Sequence, residues 1–250
     1  MVVEDQPDLL VVDSGLPSDT FNKVARARFA DSAADRRIEN AIRHFRAVKR
    51  PFAWWVGPGS RPLDLEVRLV AHGLEAAESE LGMSMELAEL GPMPAAPREL
   101  EIQRAASPRE IADLAAVFAA NWDPPDEAAL TFYQSATAVL LEASCPMILF
   151  VGYLGGAPVS CSELFMDRVP GGVAGVYSVA TRREDRNRGI GSAMTWVALN
   201  EARRQGFSTA ALQSSEAGRG VYTRLGFAPC CNFTEYTLAI SAAPTGQNRP

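Results

Sequence analysis

One short stretch constrains the fold of this chain more than any other, because it joins a strand-like segment to a helix through glycines and arginines. Residues 172–180 are apolar and β-branched, which predicts a strand, and the apolar residues from Ile190 to Ala198 recur at helical spacing. The join carries Arg182, Arg183, Arg186, Arg188, Gly189 and Gly191. Unpaired N–H groups and the helix dipole favour a phosphate at such a helix start. The stretch therefore predicts an α/β unit with an anion site at the strand-to-helix turn.

Other phosphate-binding loops fit this stretch less well. A dinucleotide fingerprint needs Gly-x-Gly-x-x-Gly, but Met194 occupies the position of the last glycine. The Gly-Lys-Ser/Thr sequence of nucleoside triphosphate loops is absent. An ordinary glycine-containing turn beside solvated arginines remains the alternative, because short motifs also recur by chance.

A second pattern follows the first. The helix ends in a basic turn before Gly206, residues 207–213 form an apolar strand, and a short helix contains Tyr222 in the sequence Tyr-x-x-Leu-Gly-Phe. The series strand, Arg-x-x-Gly-x-Gly, helix, strand and Tyr-x-x-Leu-Gly-Phe resembles the GCN5-related N-acetyltransferase (GNAT) superfamily. The sequence departs from the usual pattern at Asn187, where many members have glycine, and at Arg183, where many have proline.

The resemblance extends over residues 99–240, where the predicted order is β-α-α-β-β-β-α-β-α-β. It implies an α+β fold with a mixed central sheet, splayed between two strands and covered by helices on both faces. Residues 1–96 are predicted to form a smaller α/β unit, and residues 99–250 the catalytic domain. The boundary is placed at residues 91–97, which hold three prolines.

The two predicted domains share an internal similarity. Residues 67–90 contain a helix, a glycine, a short loop and a strand, and residues 221–238 repeat that order. We interpret the first 90 residues as a degenerate GNAT half that lacks the Arg-x-x-Gly-x-Gly motif and does not bind the cofactor. Coincidence is the alternative, because helix–glycine–strand units are common in α/β proteins.

The resemblance also assigns the site. It implies that the pantetheine arm of acetyl-coenzyme A pairs with the splayed strand, and that the diphosphate lies on the N–H groups of the loop. The implied cofactor residues are Val179, Ala180, Thr181, Arg186, Asn187, Arg188, Gly189, Ile190, Gly191 and Ser192. An N–H group near Val179 would polarise the thioester carbonyl.

Tyr222 is the candidate catalytic acid. A phenol has an ordinary pKa of about 10, close enough to about 8.5 for a thiol to protonate the leaving thiolate. A tyrosine with its hydroxyl in water is the alternative. The base is either Glu163 or a bound water, and an ordinary solvated glutamate is the alternative for Glu163. Trp54, Trp55 and Trp122 either line an acceptor pocket or fill a core.

These assignments predict an N-acetyltransferase that moves an acetyl group from acetyl-coenzyme A to a primary amine of a small molecule or peptide in a ternary complex. A non-catalytic acyl-coenzyme A-binding module is one alternative. A transferase that uses another acyl group or an oxygen acceptor is a second.

Composition and charge restrict the kinds of binding partner and the cellular compartment that we expect. The formal net charge of −6 argues against a nucleic-acid or anionic-membrane partner, and a homodimer is allowed. The start of the sequence lacks a signal-peptide pattern, and no apolar run approaches the roughly 18 residues of a membrane span. The four cysteines and two histidines show no metal-ligand spacing, which indicates no metal and free thiols in a reducing cytoplasm.

Overall fold

The computed structural model describes residues 1–238, which form two compact units. Residues Met1–Leu81 and 231–238 form the first unit, and Gly82–Cys230 form the second. The predicted division into residues 1–96 and 99–250 differs from these units, because each unit includes part of a strand from the other side of the predicted boundary. Residues 239–250 of the predicted second domain lie outside the described residues.

The first unit is a small sheet with two helices. Its strands lie in the order β1-β2-β3-β4-β11, and all pair antiparallel except β3 and β4, which are parallel. Its elements are β1 (Val2–Gln6), β2 (Leu9–Asp13), β3 (Lys23–Ala25), α1 (Asp31–Ala47), β4 (Ala53–Val56), α2 (Leu65–Ala71), the start of β5 (Leu74–Glu86) and the end of β11 (Ala228–Leu238). Phe45 stacks on Phe52 at 4.4 Å in a core that also buries Trp54.

The second unit has the predicted order of strands and helices. Its elements are the end of β5, β6 (Leu100–Arg104), α3 (Pro108–Ala119), α4 (Glu127–Leu140), β7 (Met147–Leu154), β8 (Ala157–Met166), β9 (Ala174–Thr181), α5 (Ile190–Arg204), β10 (Thr209–Ser214), α6 (Glu216–Leu225) and the start of β11. The strand order is β5-β10-β9-β8-β7-β6, with β9 and β10 parallel and β6 to β9 antiparallel. The predicted mixed-sheet GNAT fold, with helices on both faces, is confirmed.

The proline-rich segment at residues 91–97 packs along α5. Trp196 Nε1 donates a 2.8 Å hydrogen bond to the Gly91 carbonyl near the middle of the helix. At the start of the helix, a Cβ on Gly189 would lie 2.2 Å from the Ala95 carbonyl oxygen. Gly189 also has a φ of +80°, so both the close approach and the backbone conformation require glycine. The composition predicts a linker, but the structure shows that this segment packs against α5.

Two further observations concern membranes and metals. No helix among residues 1–238 combines the length and apolar character needed to cross a bilayer. Within the same residues, no group of three or more histidine, cysteine or acidic side chains is arranged to hold a metal ion.

Candidate functional site

Strand β9 carries a one-residue bulge. Cys161 of β8 lies opposite Ala180, but Glu163, two residues further on, lies opposite Tyr177, so β9 contains one extra residue. Ser178 lies in the bulge and has a φ of 51°. A bulge bends a strand and increases its twist, so β9 leaves the regular sheet from this point.

Beyond its first residues, β9 separates from β10. The two strands pair only at Ala174–Ala210 and Gly175–Ala211, although β9 continues to Thr181. The edge of β9 from Val179 onward therefore has no β10 partner. Such an edge can pair with an extended ligand as it would with another strand.

A cleft opens where the two strands part. Its volume is about 660 Å³, which is within the ordinary range for small-molecule sites. It is lined by Asn121, Val179, Ala180, Thr181, Asp185, Arg186, Asn187, Gly189, Ile190, Gly191, Ser192, Ser215, Ala217, Gly218, Val221, Tyr222 and Arg224. The structure therefore brings together Tyr222 and every implied cofactor residue except Arg188.

The first turn of α5 faces this cleft with its backbone amides uncapped. Gly189 is the N-cap residue, and no side chain accepts a hydrogen bond from the helix start. The first N–H groups of a helix have no acceptor within the helix. The first turn of α5 also contains no acidic residue, so the amides and the helix dipole present an uncompensated anion site.

Arg186 is held in place by two hydrogen bonds. Its Nε donates to the Thr181 carbonyl at 3.0 Å, and its Nη2 donates to Asn121 Oδ1 at 2.7 Å. Asn121 is fixed in turn, because its Nδ2 donates to the carbonyls of Val117 and Phe118 at the end of α3. The sequence analysis missed Asn121, and no local signal links it to a residue 65 positions away.

The remaining cleft charges differ from the sequence prediction. Arg188 forms an ion pair with Asp185, and its side chain is 47% exposed. Its charge is therefore paired with the Asp185 carboxylate, and Arg188 itself does not line the cleft. Arg224 lines the cleft instead and forms no ion pair within residues 1–238. The cationic side chains that line the cleft are thus Arg186 and Arg224.

Tyr222 lines the cleft from α6. Its ring lies over Gly218, where an added Cβ would be 2.9 Å from Tyr222 Cε2, and its edge packs against Phe227 at 6.0 Å. The helix starts at Ser215, whose Oγ accepts a hydrogen bond from the Gly218 N–H. The ring is therefore packed between a glycine and an aromatic side chain and faces the site. Ser215 also lines the cleft, and its N-cap position is readable from sequence.

Glu163 lies behind the bulge and does not line the cleft. The residue is 8% exposed, so the interpretation as a solvated glutamate is wrong. Tyr133 donates a 2.6 Å hydrogen bond to Oε1, and Ser178 donates a 3.0 Å hydrogen bond to Oε2. Burial raises the pKa of Glu163, and these two hydrogen bonds oppose the shift only in part. Burial and the neighbouring carboxylate raise the pKa of Tyr133 well above its ordinary value.

The three tryptophans have different surroundings. Trp54 is fully buried in the core of the first unit, where it packs edge-on against Phe29. Trp55 lies beside the Lys23 ammonium in the same unit. Trp122 packs against Phe118 at 5.1 Å in the second unit and is half-buried.

Comparisons with known proteins agree with this geometry. A model of the acetyltransferase (GNAT) family matches residues 110–227. A GCN5-related N-acetyltransferase from Kribbella flavida is 19% identical, with a TM-score of 0.73 over 94% of this chain and 88% of the other. A second one, from Sphaerobacter thermophilus, is 18% identical, with a TM-score of 0.61 over 89% of this chain and 74% of the other. No curated protein sequence matches.

A tandem GNAT protein from the clavulanic acid biosynthesis pathway extends the likeness to the first unit. It is 14% identical, with a TM-score of 0.63 over 94% of this chain and 79% of the other. At this identity the likeness concerns the fold, and it supports a GNAT-like unit that precedes the family domain. The family match, the bulged strand and the open helix start coincide in the second unit. Residues 110–227 therefore belong to the acetyltransferase (GNAT) family.

Proposed function

We propose that the protein is an N-acetyltransferase that transfers the acetyl group of acetyl-coenzyme A to a primary amine of a small-molecule or peptide acceptor. The observation that carries the proposal is one cleft that combines the uncapped amides of α5, the unpaired edge of β9 and Tyr222. Transfer of an acyl group from a thioester that carries a diphosphate can use all three, and the family match supports acyl transfer.

The cofactor fits the cleft in two parts. The diphosphate would lie on the amides from Gly189 to Ser192, with Arg186 and Arg224 adding positive charge. Gly191 leaves this approach open, because an added Cβ would have no neighbour closer than 3.8 Å. The pantetheine arm would extend along β9 and hydrogen-bond to backbone groups that β10 leaves unpaired.

The chemistry then follows from this placement. The neutral amine attacks the thioester carbonyl, and the Val179 N–H stabilises the negative charge on the oxygen of the tetrahedral intermediate. When the carbon–sulfur bond breaks, the Tyr222 hydroxyl donates its proton to the thiolate. Both substrates lie side by side in the ternary complex, so positioning provides much of the rate acceleration.

Two measurements on the purified full-length protein test the proposal. Calorimetry with acetyl-coenzyme A should show one binding event per chain, because within residues 1–238 only the second unit presents an uncapped, acid-free helix start. Thiol release should then be followed with a panel of primary amines: a polyamine, an arylalkylamine, an amino sugar, lysine and a short peptide. Binding with amine-dependent thiol release supports the proposal.

Other outcomes would support one of the two alternative functions. Binding without thiol release for any amine indicates an acyl-coenzyme A-binding module. Faster turnover with a longer acyl-coenzyme A, or with an alcohol in place of the amine, indicates a different acyl group or acceptor. If no heat is detected with acetyl-coenzyme A, the proposed function is wrong.

A further inference from the structure

A buried carboxylate without a cation lies directly behind the bulge of β9. Glu163 makes no ion pair among the described residues, and its hydrogen-bond partners are the hydroxyls of Tyr133 and Ser178. Burying a carboxylate without a counter-charge is costly. An isolated acidic group of this kind beside a cleft is more typical of a functional site than of a structural core.

Ser178 connects this carboxylate to the cleft. It is half-buried in the bulge, and its backbone has a left-handed φ of 51° that is unfavourable for a residue other than glycine. Its hydroxyl donates to Glu163 Oε2, and its carbonyl accepts a 3.4 Å contact from Cys161 Sγ. The next residue, Val179, lines the cleft. The bulge thus places one hydroxyl between the buried carboxylate and the edge along which the thioester would lie.

We propose that Ser178 and Glu163 form the relay that removes the proton from the attacking amine. The proposal rests on the transferase function proposed above. As the carbon–nitrogen bond forms, an amine proton passes to Ser178 Oγ while the Ser178 hydroxyl proton passes to Glu163 Oε2. Ser178 is then unchanged and Glu163 is neutral, and Glu163 later releases its proton to solvent. Tyr222 protonates the sulfur and then regains a proton from solvent, so over the cycle the amine loses one proton and the thiolate gains one.

The surroundings of Glu163 suit this role. The titratable groups that face it are Tyr133 from α4 and Cys161 from its own strand, and both have pKa values raised by burial. Neither carries a charge at neutral pH, and no cation lowers the proton affinity of Glu163. A raised pKa makes a carboxylate a stronger base. Tyr133 acts as a positioning residue, because its hydrogen bond fixes the other oxygen.

The test measures kcat with saturating acetyl-coenzyme A and the fastest amine of the panel. Ser178→Gly removes the hydroxyl without straining the backbone, because glycine adopts the left-handed conformation freely. Ser178→Gly and Glu163→Gln should each lower kcat about 100-fold, a typical general-base contribution. The dissociation constant of acetyl-coenzyme A should change less than about twofold, because neither side chain belongs to the groups proposed to hold the diphosphate. The matched control is Ser162→Ala, whose hydroxyl contacts the Met194 carbonyl and whose loss should leave kcat unchanged.

The double variant and the pH profile identify a relay. Two groups in one relay are lost together, so Ser178→Gly/Glu163→Gln should be no slower than the slower single variant. The wild-type kcat should fall as pH drops through the raised pKa of Glu163, and Glu163→Gln should lose this acid limb. Tyr133→Phe removes a hydrogen bond that lowers the pKa of Glu163, so it should move the limb to higher pH.

Three results would overturn the relay. These are a wild-type kcat in Ser178→Gly, a double variant in which the two losses multiply, and an acid limb that persists in Glu163→Gln. Each leaves the transferase proposal intact if the wild-type protein still acetylates the amine. A wild-type protein that acetylates no amine of the panel overturns both proposals.

Discussion

The two units contain the same supersecondary unit with different side chains at its helix start. In the first unit β3 leads through α1 to the parallel strand β4, and in the second unit β9 leads through α5 to the parallel strand β10. Neither helix has a side-chain N-cap. However, α1 begins with Asp31, whose carboxylate compensates the helix dipole, whereas the first turn of α5 has no acidic residue. The parallel crossover alone therefore does not make an anion site.

The buried carboxylates of the two units show the same contrast. Burial would raise the pKa of Asp13 in the first unit, but the Gly15 N–H, His44 and Arg50 together lower it. Burial raises the pKa of Glu163 in the second unit, where no cation compensates. Asp13 is a paired, stabilising group, and Glu163 is a charge held at a cost in stability. The first unit thus compensates its buried carboxylate, and the second unit does not.

The largest expected effect concerns the start of α5. Gly189→Ala places a Cβ against the Ala95 carbonyl at 2.2 Å, so either the loop or residues 91–97 must move. We expect acetyl-coenzyme A affinity to fall at least about 100-fold by calorimetry, because the amide turn no longer holds its shape. Gly206→Ala is the control: it shares a positive φ of +90° but has no atom within 4 Å. Equal affinities of the two variants would contradict the assigned diphosphate site.

The two carboxylates should respond in opposite ways to removal of their charge. Asp13→Asn breaks the pair with Arg50, whose side chain is 30% exposed, so we expect a loss of about 2 kcal/mol in the free energy of unfolding at pH 7. Because the folded-state pKa of Asp13 is lowered, its stabilisation is complete above the unfolded-state value of about 3.9 and is lost as pH falls through the folded-state pKa.

Glu163→Gln should cost no stability at pH 7, since the raised pKa means that the charged form destabilises the fold above that pKa. Urea unfolding of both variants at pH 7 and in the acid range measures the difference. A loss of stability in Glu163→Gln as large as that in Asp13→Asn would contradict the contrast between the units.

Tyr222→Phe should have a smaller effect, confined to turnover. We expect kcat for thiol release to fall at least about tenfold, with little change in acetyl-coenzyme A affinity, because the proton donor is lost while the packed ring remains. Tyr177→Phe is the control in the same unit, since Tyr177 does not line the cleft. Unchanged turnover in Tyr222→Phe would remove Tyr222 from the mechanism.

The smallest effect is expected for Arg188→Ala. The side chain does not line the cleft and is paired with Asp185, and exposed ion pairs contribute at most about 1 kcal/mol. Acetyl-coenzyme A affinity should change less than about threefold, whereas Arg186→Ala should lower it about tenfold. Calorimetry on the two variants at one ionic strength makes the comparison, and the reverse order would show that the loop rearranges on binding.

Local signals predicted the fold of the second unit and most of the cleft. The glycines, the arginines and Tyr222 lie within a few residues of the elements that position them, so sequence order was sufficient. Asn121 was missed because its contact with Arg186 depends on the end of α3 meeting a loop 65 residues later. The burial of Glu163 was missed for the same reason, since Tyr133 reaches it from α4.

Elsewhere, composition suggested less structure than the chain forms. The sequence predicted a short loop between the glycine after the second helix and the strand of residues 67–90, but β5 begins at Leu74 and runs to Glu86. The sequence Glu-Ala-Ala-Glu-Ser-Glu has no alternation of apolar residues, because most of these side chains are exposed. Prolines at residues 91–97 suggested a linker, and only the contacts with Trp196 and Gly189 show that the segment is packed.

The sharing of strands between the two halves of the sequence has a practical consequence. Residues 234–237 of β11 pair with β4 in the first unit, from Ala53–Thr237 to Val56–Thr234. A polypeptide cut after residue 96 would thus expose the backbone of an apolar strand, which is a template for aggregation. We therefore expect that neither half of the sequence, expressed alone, would keep the stability that it has in the full-length protein. The stability and the activity of the variants are best measured on the full-length protein.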